Sequence, residues 1–102
     1  TVNRSEVSIT KIRNTVSDYF GITNELMLSN TRKREIVQAR QIAMYLCRSL
    51  TGKSLTAIGA ELGGKNHATV LHACETVGDL MATDRSFKQY VTDIEKRLRS
   101  NI

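Results

Sequence analysis

Apolar residues recur every three or four positions along most of the chain, which is the spacing of amphipathic helices. One such stripe begins after Ser8, a candidate N-cap, and ends at Gly21, a candidate C-terminal stop. A short turn of helix follows Thr23. Further predicted helices cover 35–50, 54–62, 66–81 and a last segment capped by Thr83 or Asp84.

The lack of a strand pattern sets the predicted fold class. No long β-branched run alternates with polar residues, proline is absent, and aromatic residues make up only 5% of the chain. We therefore predict an all-α fold, a compact bundle of about six helices. At 102 residues the chain can form one core but not two, so residues 1–102 are expected to be a single domain. Residues 1–7 are expected to be the end of a linker. Because the sequence starts at Thr1 and not at a methionine, we expect it to be a piece of a longer protein.

A double glycine, Gly63-Gly64, separates two of the predicted helices by a tight turn. The helix before the turn starts near Ser54, and the helix after it opens with Asn66 as its N-cap. This arrangement, over about residues 54–82, predicts a helix-turn-helix whose second helix enters a DNA major groove by its N-terminus. An ordinary helical hairpin with a polar outer face is the alternative.

The first turns of the second helix carry side chains that suit the edges of bases. His67 is a hydrogen-bond donor, Ala68 offers a methyl-sized surface to thymine, and Asn66 can pair with adenine if it is free of capping. On the same helix, Leu71 is expected to face the core. The polar residues around these base readers, which we expect to be exposed with them, are Lys65, Thr69 and His72.

Positive charge adds a second indication of a nucleic-acid partner. The net charge is +5 and the pI is about 9.6, which suits a polyanion. Arg32-Lys33-Arg34 forms a basic loop ahead of the longest helix, where it can contact phosphates or insert an arginine into the minor groove. The plainer interpretation of this triplet is a solvated loop. Arg40, Arg48 and Lys53 add positive charge nearby.

Two other kinds of chemistry are disfavoured. The stretch 59–66 matches the phosphate loop G-x-x-x-x-G-K-[ST] except at Asn66, which has no hydroxyl for magnesium. A predicted helix, not a strand, leads into this stretch, so no nucleotide cofactor is expected in this domain. No acid–base or nucleophile pair stands at a workable spacing, so no enzyme activity is expected here.

Cysteine and histidine spacing predicts neither a disulfide nor a metal site. Cys47 and Cys74 lack a CxxC spacing and are expected to be reduced, buried thiols of a cytosolic protein. His67 and His72 are expected on different faces of their helix, which disfavours shared metal ligation. His72 suits a half-buried polar position as well as a phosphate contact. No apolar run approaches the ~20 residues of a membrane span.

Several motifs together resemble the C-terminal signature of the DnaA family of bacterial chromosomal replication initiators. They are ARQIAMYL at 39–46, LTG at 50–52, SL at 54–55, IG at 58–59 and GGKNHATVLHA at 63–73. The resemblance implies a Trp-repressor-like helix-turn-helix domain that recognises double-stranded DnaA boxes at the replication origin. It also implies an AAA+ module upstream in the full-length protein, and ATP and magnesium are expected only there.

The resemblance assigns roles one position at a time. Arg32 aligns with the loop arginine that enters the minor groove, and Asn66, His67 and Ala68 align with the positions that contact bases in the major groove. With the basic residues noted above, the predicted backbone-contacting or supporting positions are Lys33, Arg34, Arg40, Gln41, Lys53, Lys65, Thr69 and His72.

The chain departs from the family pattern inside this motif. The family commonly has Arg-Asp-His-Thr-Thr where this chain has KNHAT at 65–69. An aspartate accepts from cytosine N4, whereas Asn66 both donates and accepts, so the base preference at this position is open. Lys65 keeps the charge of arginine but lacks its bidentate fork.

The resemblance further implies a monomeric isolated domain, self-assembly of the full-length protein on the origin, and a cytoplasmic, nucleoid-associated location. Two alternatives stay open at this point. One is a helix-turn-helix transcription repressor with a different operator. The other is a basic protein-interaction module that docks an acidic partner.

Overall fold

The computed structural model describes residues 8–100, apart from the side chain of Ser100. Within that range the chain forms helices and no strand, which confirms the all-α prediction. The predicted linker end, 1–7, lies outside the described residues. The helices are α1 (Ile9–Phe20), α2 (Asn24–Leu28), α3 (Arg34–Thr51), α4 (Leu55–Glu61), α5 (His67–Thr83) and α6 (Arg85–Ser100).

Polar caps and glycines set the helix ends. Ser8 Oγ accepts from the amide of Lys11 at 3.1 Å to start α1, and Gly21 ends that helix with a φ of 67°. Of the two candidate caps for α6, Asp84 makes the cap, because its Oδ1 accepts from the amide of Phe87 at 3.2 Å.

The long helix α3 lies at the centre of the bundle and contacts α1, α2, α4 and α5. Its inward residues Ala39, Ile42, Ala43 and Leu46 are fully buried. Burial of this kind stabilises a helix by about 25 cal/mol per Å² of apolar surface. The helix α6 closes the other side by packing on α1 and α5. The bundle is thus organised around α3, with the helix-turn-helix on one flank.

Leu71 was predicted to face inward, and that prediction is wrong. It is 37% exposed, whereas its neighbours Val70 and Cys74 are buried against the rest of the bundle. Successive residues of a helix are about 100° apart, so with Val70 centred on the core Leu71 turns towards the surface. In α6, Tyr90 stands in the same relation to the buried Val91 and is 39% exposed.

The turn between α4 and α5 depends on two glycines. Gly59 is buried, and a Cβ there would overlap the carbonyl oxygen of Lys65, whose amide donates to the Gly59 carbonyl at 2.9 Å. Gly63 has a φ of 95°, which side chains rarely adopt, and a Cβ there would strike the carbonyl oxygen of Leu28. The turn is therefore folded onto α4 on one side and onto the end of α2 on the other.

Candidate nucleic-acid interface

Asn66 caps α5, as the sequence predicts. Its Oδ1 accepts a hydrogen bond from the backbone amide of Thr69 at 2.9 Å, and its backbone is extended. The side chain is exposed at the same time. The side-chain oxygen of Asn66 therefore caps the helix, and its side-chain nitrogen is the group left to donate to a base.

The residues at the start of α5 that were predicted to meet DNA are exposed, whereas Val70 and Ala73 of the same turns are buried. Because His72 is also exposed, the half-buried alternative for it is wrong. Their contacts with DNA remain predictions. The exposed members are Asn66, His67, Ala68, Thr69 and His72.

The basic loop occupies the segment between α2 and α3. Arg32, Lys33 and Arg34 are all exposed, and Arg34 is already the first residue of α3. Two hydrogen bonds between residues two positions apart shape the loop. The amide of Thr31 donates to Ser29 Oγ at 3.3 Å, and the amide of Lys33 donates to Thr31 Oγ1 at 3.3 Å.

A cleft of about 420 Å³ joins this loop to α5. Arg32 lines it from the loop, Arg34 and Gln41 from α3, and Thr76 and Leu80 from the second half of α5. The fold therefore brings Arg32 and Gln41, far from α5 in sequence, beside that helix. Thr76 was missed by the sequence analysis, although it follows His72 by one helical turn on the same face.

Lys65 does not stand free on the surface. Its Nζ donates to Asn30 Oδ1 at 2.6 Å and to the carbonyl oxygen of Ser29 at 3.3 Å. Desolvation, followed by the positive charge of Arg40, holds the pKa of this ammonium below its ordinary value. Lys65 thus connects the turn of the helix-turn-helix to the basic loop.

Arg40, predicted to contact the DNA backbone or to support the fold, is buried in the structure. Only 8% of the residue is exposed, and its Nε donates to the carbonyl oxygen of Met27 at 2.9 Å. A second nitrogen lies 3.5 Å from the carbonyl oxygen of Leu26. Burial lowers the pKa of the guanidinium. Of the two roles that the resemblance allows, the geometry gives Arg40 the supporting one, because these bonds hold α2 against α3.

Lys53 is exposed between α3 and α4, next to Ser54, which caps α4 through a bond from the Ala57 amide at 3.1 Å. Gln41 is half-buried on α3. Both remain predicted backbone contacts.

The stretch 59–66 does not fit a phosphate loop. It begins inside α4, as expected, and the Gly59 carbonyl accepts from the amides of both Leu62 and Lys65. Asn66 uses its oxygen for the cap. The stretch therefore starts within a helix and forms a turn bonded back to Gly59, unlike the strand-to-helix loop that the motif describes.

Cys47 and Cys74 are free, buried thiols, as predicted. Desolvation raises the pKa of Cys47 to about 12, and burial likewise raises the pKa of Cys74. Within residues 8–100, no three His, Cys, Asp or Glu side chains come together as metal ligands. No helix of that range has both the length and the apolar character needed to cross a membrane.

The fold and this surface define a helix-turn-helix domain with a basic loop beside its second helix. The sequence profile of the family described as "Bacterial dnaA protein helix-turn-helix" matches residues 9–77. The chain belongs to this DnaA family, which confirms the resemblance.

Curated relatives agree over nearly the whole chain. The chromosomal replication initiator protein DnaA of Flavobacterium psychrophilum is 52% identical over 95 residues, which is 93% of this chain and 20% of that protein. The DnaA proteins of Latilactobacillus sakei and Limosilactobacillus reuteri are each 42% identical over 94% and 97% of this chain, and over 21% and 22% of their own lengths. The chain spans about a fifth of the length of these relatives.

Proposed function

We propose that this domain binds double-stranded DnaA boxes at the replication origin, as the DNA-binding part of a chromosomal replication initiator. The observation that carries the proposal is the exposed start of α5, preceded by a turn that Lys65 joins to the loop carrying the basic residues. A helix-turn-helix that reads DNA needs this pairing of base-reading side chains and phosphate-contacting cations.

The N-terminus of α5 enters the major groove, where Asn66, His67 and Ala68 meet base edges. Arg32 enters the adjacent minor groove from the basic loop. The partial positive charge at the N-terminus of α5 favours a nearby phosphate. The exposed or half-buried residues proposed for the DNA backbone are Lys33, Arg34, Gln41, Lys53, Thr69 and His72.

In the full-length protein, the proposed role extends beyond this chain. ATP and magnesium belong to an AAA+ module upstream, and catalysis is confined to that module. The isolated domain is a monomer, and the full-length protein assembles on the origin. Its place of action is the cytoplasm, on the nucleoid.

The test is a titration of the domain against a DnaA-box duplex, a scrambled duplex and an unrelated operator, at several salt concentrations. We expect tighter binding to the box at physiological salt, with a log–log slope of roughly 0.9 for each neutralised phosphate. Equal binding to the box and the scrambled duplex contradicts sequence-specific recognition. Preference for the unrelated operator supports a repressor. A separate competition assay, in which duplex DNA is added to the domain bound to an acidic protein, supports an interaction module if the DNA fails to displace the protein.

A further inference from the structure

Lys65 is the side chain that crosses from the turn of the helix-turn-helix to the basic loop. Its Nζ lies 2.6 Å from Asn30 Oδ1 and 3.3 Å from the carbonyl oxygen of Ser29, residues that precede it by 35 and 36 positions. Asn30 lies two residues before Arg32. The contact therefore acts on the part of the loop that carries the proposed minor-groove arginine.

A close backbone approach joins the turn to the same segment that Lys65 contacts. Gly63 packs so closely on Leu28 that a Cβ there would overlap the Leu28 carbonyl oxygen. Together with the Lys65 contacts, this close approach forms a seam between the turn and residues 28–30. Beyond the seam, the amide of Thr31 bonds to Ser29 Oγ and the amide of Lys33 bonds to Thr31 Oγ1. These two bonds fix the backbone at Thr31 and at Lys33, on either side of Arg32, relative to Ser29.

The chemistry of the ammonium group fits a tether better than a phosphate contact. Lysine has three N–H donors, and two are directed to the loop. A charged donor to a neutral oxygen forms a stronger hydrogen bond than a neutral donor does. Lys65 is half-buried, whereas Arg32, Lys33 and Arg34 in the basic loop are exposed. The loop thus already accepts two of the three hydrogen bonds that the Lys65 ammonium could donate to a phosphate.

We propose that Lys65 is a positioning residue that fixes the basic loop against the turn and thereby sets the spacing between Arg32 and the start of α5. This inference rests on the proposed function for its consequence in DNA recognition. The tether itself does not depend on DNA. Of the two roles that the resemblance allows for Lys65, it favours support of the interface over direct contact with the DNA backbone.

The first test compares Lys65→Met with Asn30→Ala in binding to a DnaA-box duplex. Asn30 carries no charge, so its replacement removes the partner of Lys65 without removing an electrostatic attraction to phosphate. We expect Lys65→Met to weaken binding about tenfold and Asn30→Ala at least about threefold. Lys65→Arg keeps charged donors and is expected to restore most of the affinity. Lys88→Met removes the same charge from the exposed surface of α6 and is the matched control, with little expected change.

The second test is a double-mutant cycle with Arg32→Ala. If Lys65 acts through the loop, Lys65→Met costs less than about twofold once Arg32 is gone, because the two effects are coupled. If Lys65 is an independent phosphate contact, the tenfold loss persists in the Arg32→Ala background and Asn30→Ala has no effect. Either of those results overturns the proposal.

A third measurement needs no DNA and separates this proposal from the proposed function. Backbone ¹⁵N order parameters for residues 29–33 are compared between the unmodified domain and Lys65→Met. We expect a fall towards flexible values, below about 0.6, in the loop and no change in α5. Unchanged loop order overturns the tether. If the domain fails to distinguish a box from a scrambled duplex, the proposed function falls while this measurement still decides the tether. If Lys65→Met unfolds, Asn30→Ala at an exposed position serves in all three tests.

Discussion

Asn66 Oδ1 accepts a hydrogen bond from the backbone amide of Thr69 at 2.9 Å, so one exposed side chain both caps α5 and belongs to the surface that we propose reads DNA. A full pair with adenine requires the amide oxygen to accept from N6 while the nitrogen donates to N7. The cap already occupies one acceptor site of that oxygen. Base reading by Asn66 is therefore expected to depend mainly on its amide donors.

The first prediction concerns Asn66→Asp. A carboxylate keeps the cap and adds a negative charge at a helix N-terminus, which is favourable by about 0.3–1 kcal/mol. It also removes the donor, so we expect the base preference to move towards cytosine, whose N4 donates to a carboxylate. The measurements are the thermal midpoint and binding to a set of boxes that differ in one base pair.

Asn66→Ala is the control for this experiment. It removes both functions and is expected to cost about 1 kcal/mol of stability along with affinity. If Asn66→Asp leaves the base preference unchanged, Asn66 caps the helix without reading a base.

The second prediction concerns the two sides of the DNA interface. Arg32→Ala and His67→Ala are each expected to weaken box binding by about tenfold or more, because a good base contact contributes about 1–3 kcal/mol of discrimination. Arg32→Ala is also expected to lower the salt slope by up to about 0.9. Titration of each variant at several salt concentrations measures both effects.

Lys88→Ala is the matched control, since Lys88 is an exposed cation of α6 outside the proposed interface. If Lys88→Ala lowers box affinity as much as Arg32→Ala does, the domain is attracted to DNA unspecifically, through its net charge. Unchanged binding after both Arg32→Ala and His67→Ala contradicts the proposed docking geometry.

The third prediction concerns Arg40, which acts within the fold. Arg40→Met removes the Nε bond to the Met27 carbonyl and leaves that buried oxygen without its partner. We expect a loss of about 1.5–3 kcal/mol in the free energy of unfolding, measured by urea denaturation. Arg34→Ala, at an exposed position of the same helix, is expected to change stability by less than about 0.5 kcal/mol. Equal stability of the two variants shows that Arg40 is not a structural anchor.

These residues show what the sequence supplies and what it omits. Caps and the helix stop at Ser8, Gly21 and Asn66 depend on neighbours within four positions, so local pattern predicts them. The motif 63–73 likewise carries the turn and the start of α5. Arg40 is different, because its arginine side chain reads as a surface cation until the fold places two carbonyls of α2 beside it.

Long-range contacts explain the remaining differences. The bond between Lys65 and Asn30 joins residues 35 positions apart, and no periodicity reports such a pair. Leu71 was misplaced because a one-residue rotation about the α5 axis decides which apolar side chains reach the core. Local chemistry is thus readable from sequence, whereas the partner of a long polar side chain depends on the packing of helices.

The fourth prediction concerns pH. Burial raises the pKa of the Cys47 thiol from its ordinary 9.0 to about 12. Above pH 9 the unfolded chain releases this proton while the folded chain keeps it, so the folded state binds more protons and loses relative stability as pH rises. The thiol's contribution is fully present below pH 9 and falls by at most about 1.4 kcal/mol per pH unit up to pH 12.

Urea denaturation between pH 7 and pH 11 measures this slope. Cys47→Ala is expected to be less stable at pH 7, because it leaves a cavity, yet to show a shallower decline above pH 9. If the free energy of unfolding declines with the same slope in the unmodified domain and in Cys47→Ala, Cys47 is not the source of the pH dependence. Native thiol alkylation at pH 8 is also expected to be slow, since both cysteines are buried.

The fifth prediction compares two glycines on either side of the start of α5. Gly63 has a φ of 95° and no room for a Cβ beside the Leu28 carbonyl, whereas Gly78 lies exposed within α5 with nothing within 4 Å of a Cβ. Gly78→Ala is expected to raise stability by about 0.5–1 kcal/mol, because alanine loses less backbone entropy in a helix. Gly63→Ala is expected to lower stability by about 1–3 kcal/mol through backbone strain and displacement of α2.

Because Gly63 forms the seam beside Lys65, its replacement is also expected to weaken box binding at temperatures where the domain stays folded. Gly64→Ala separates strain from collision, since Gly64 has a φ of 71° but open space around a Cβ. Strain alone predicts similar losses of stability at both positions and unchanged box affinity for each folded variant. A displaced seam predicts a larger loss at Gly63, with weaker box binding for that variant only.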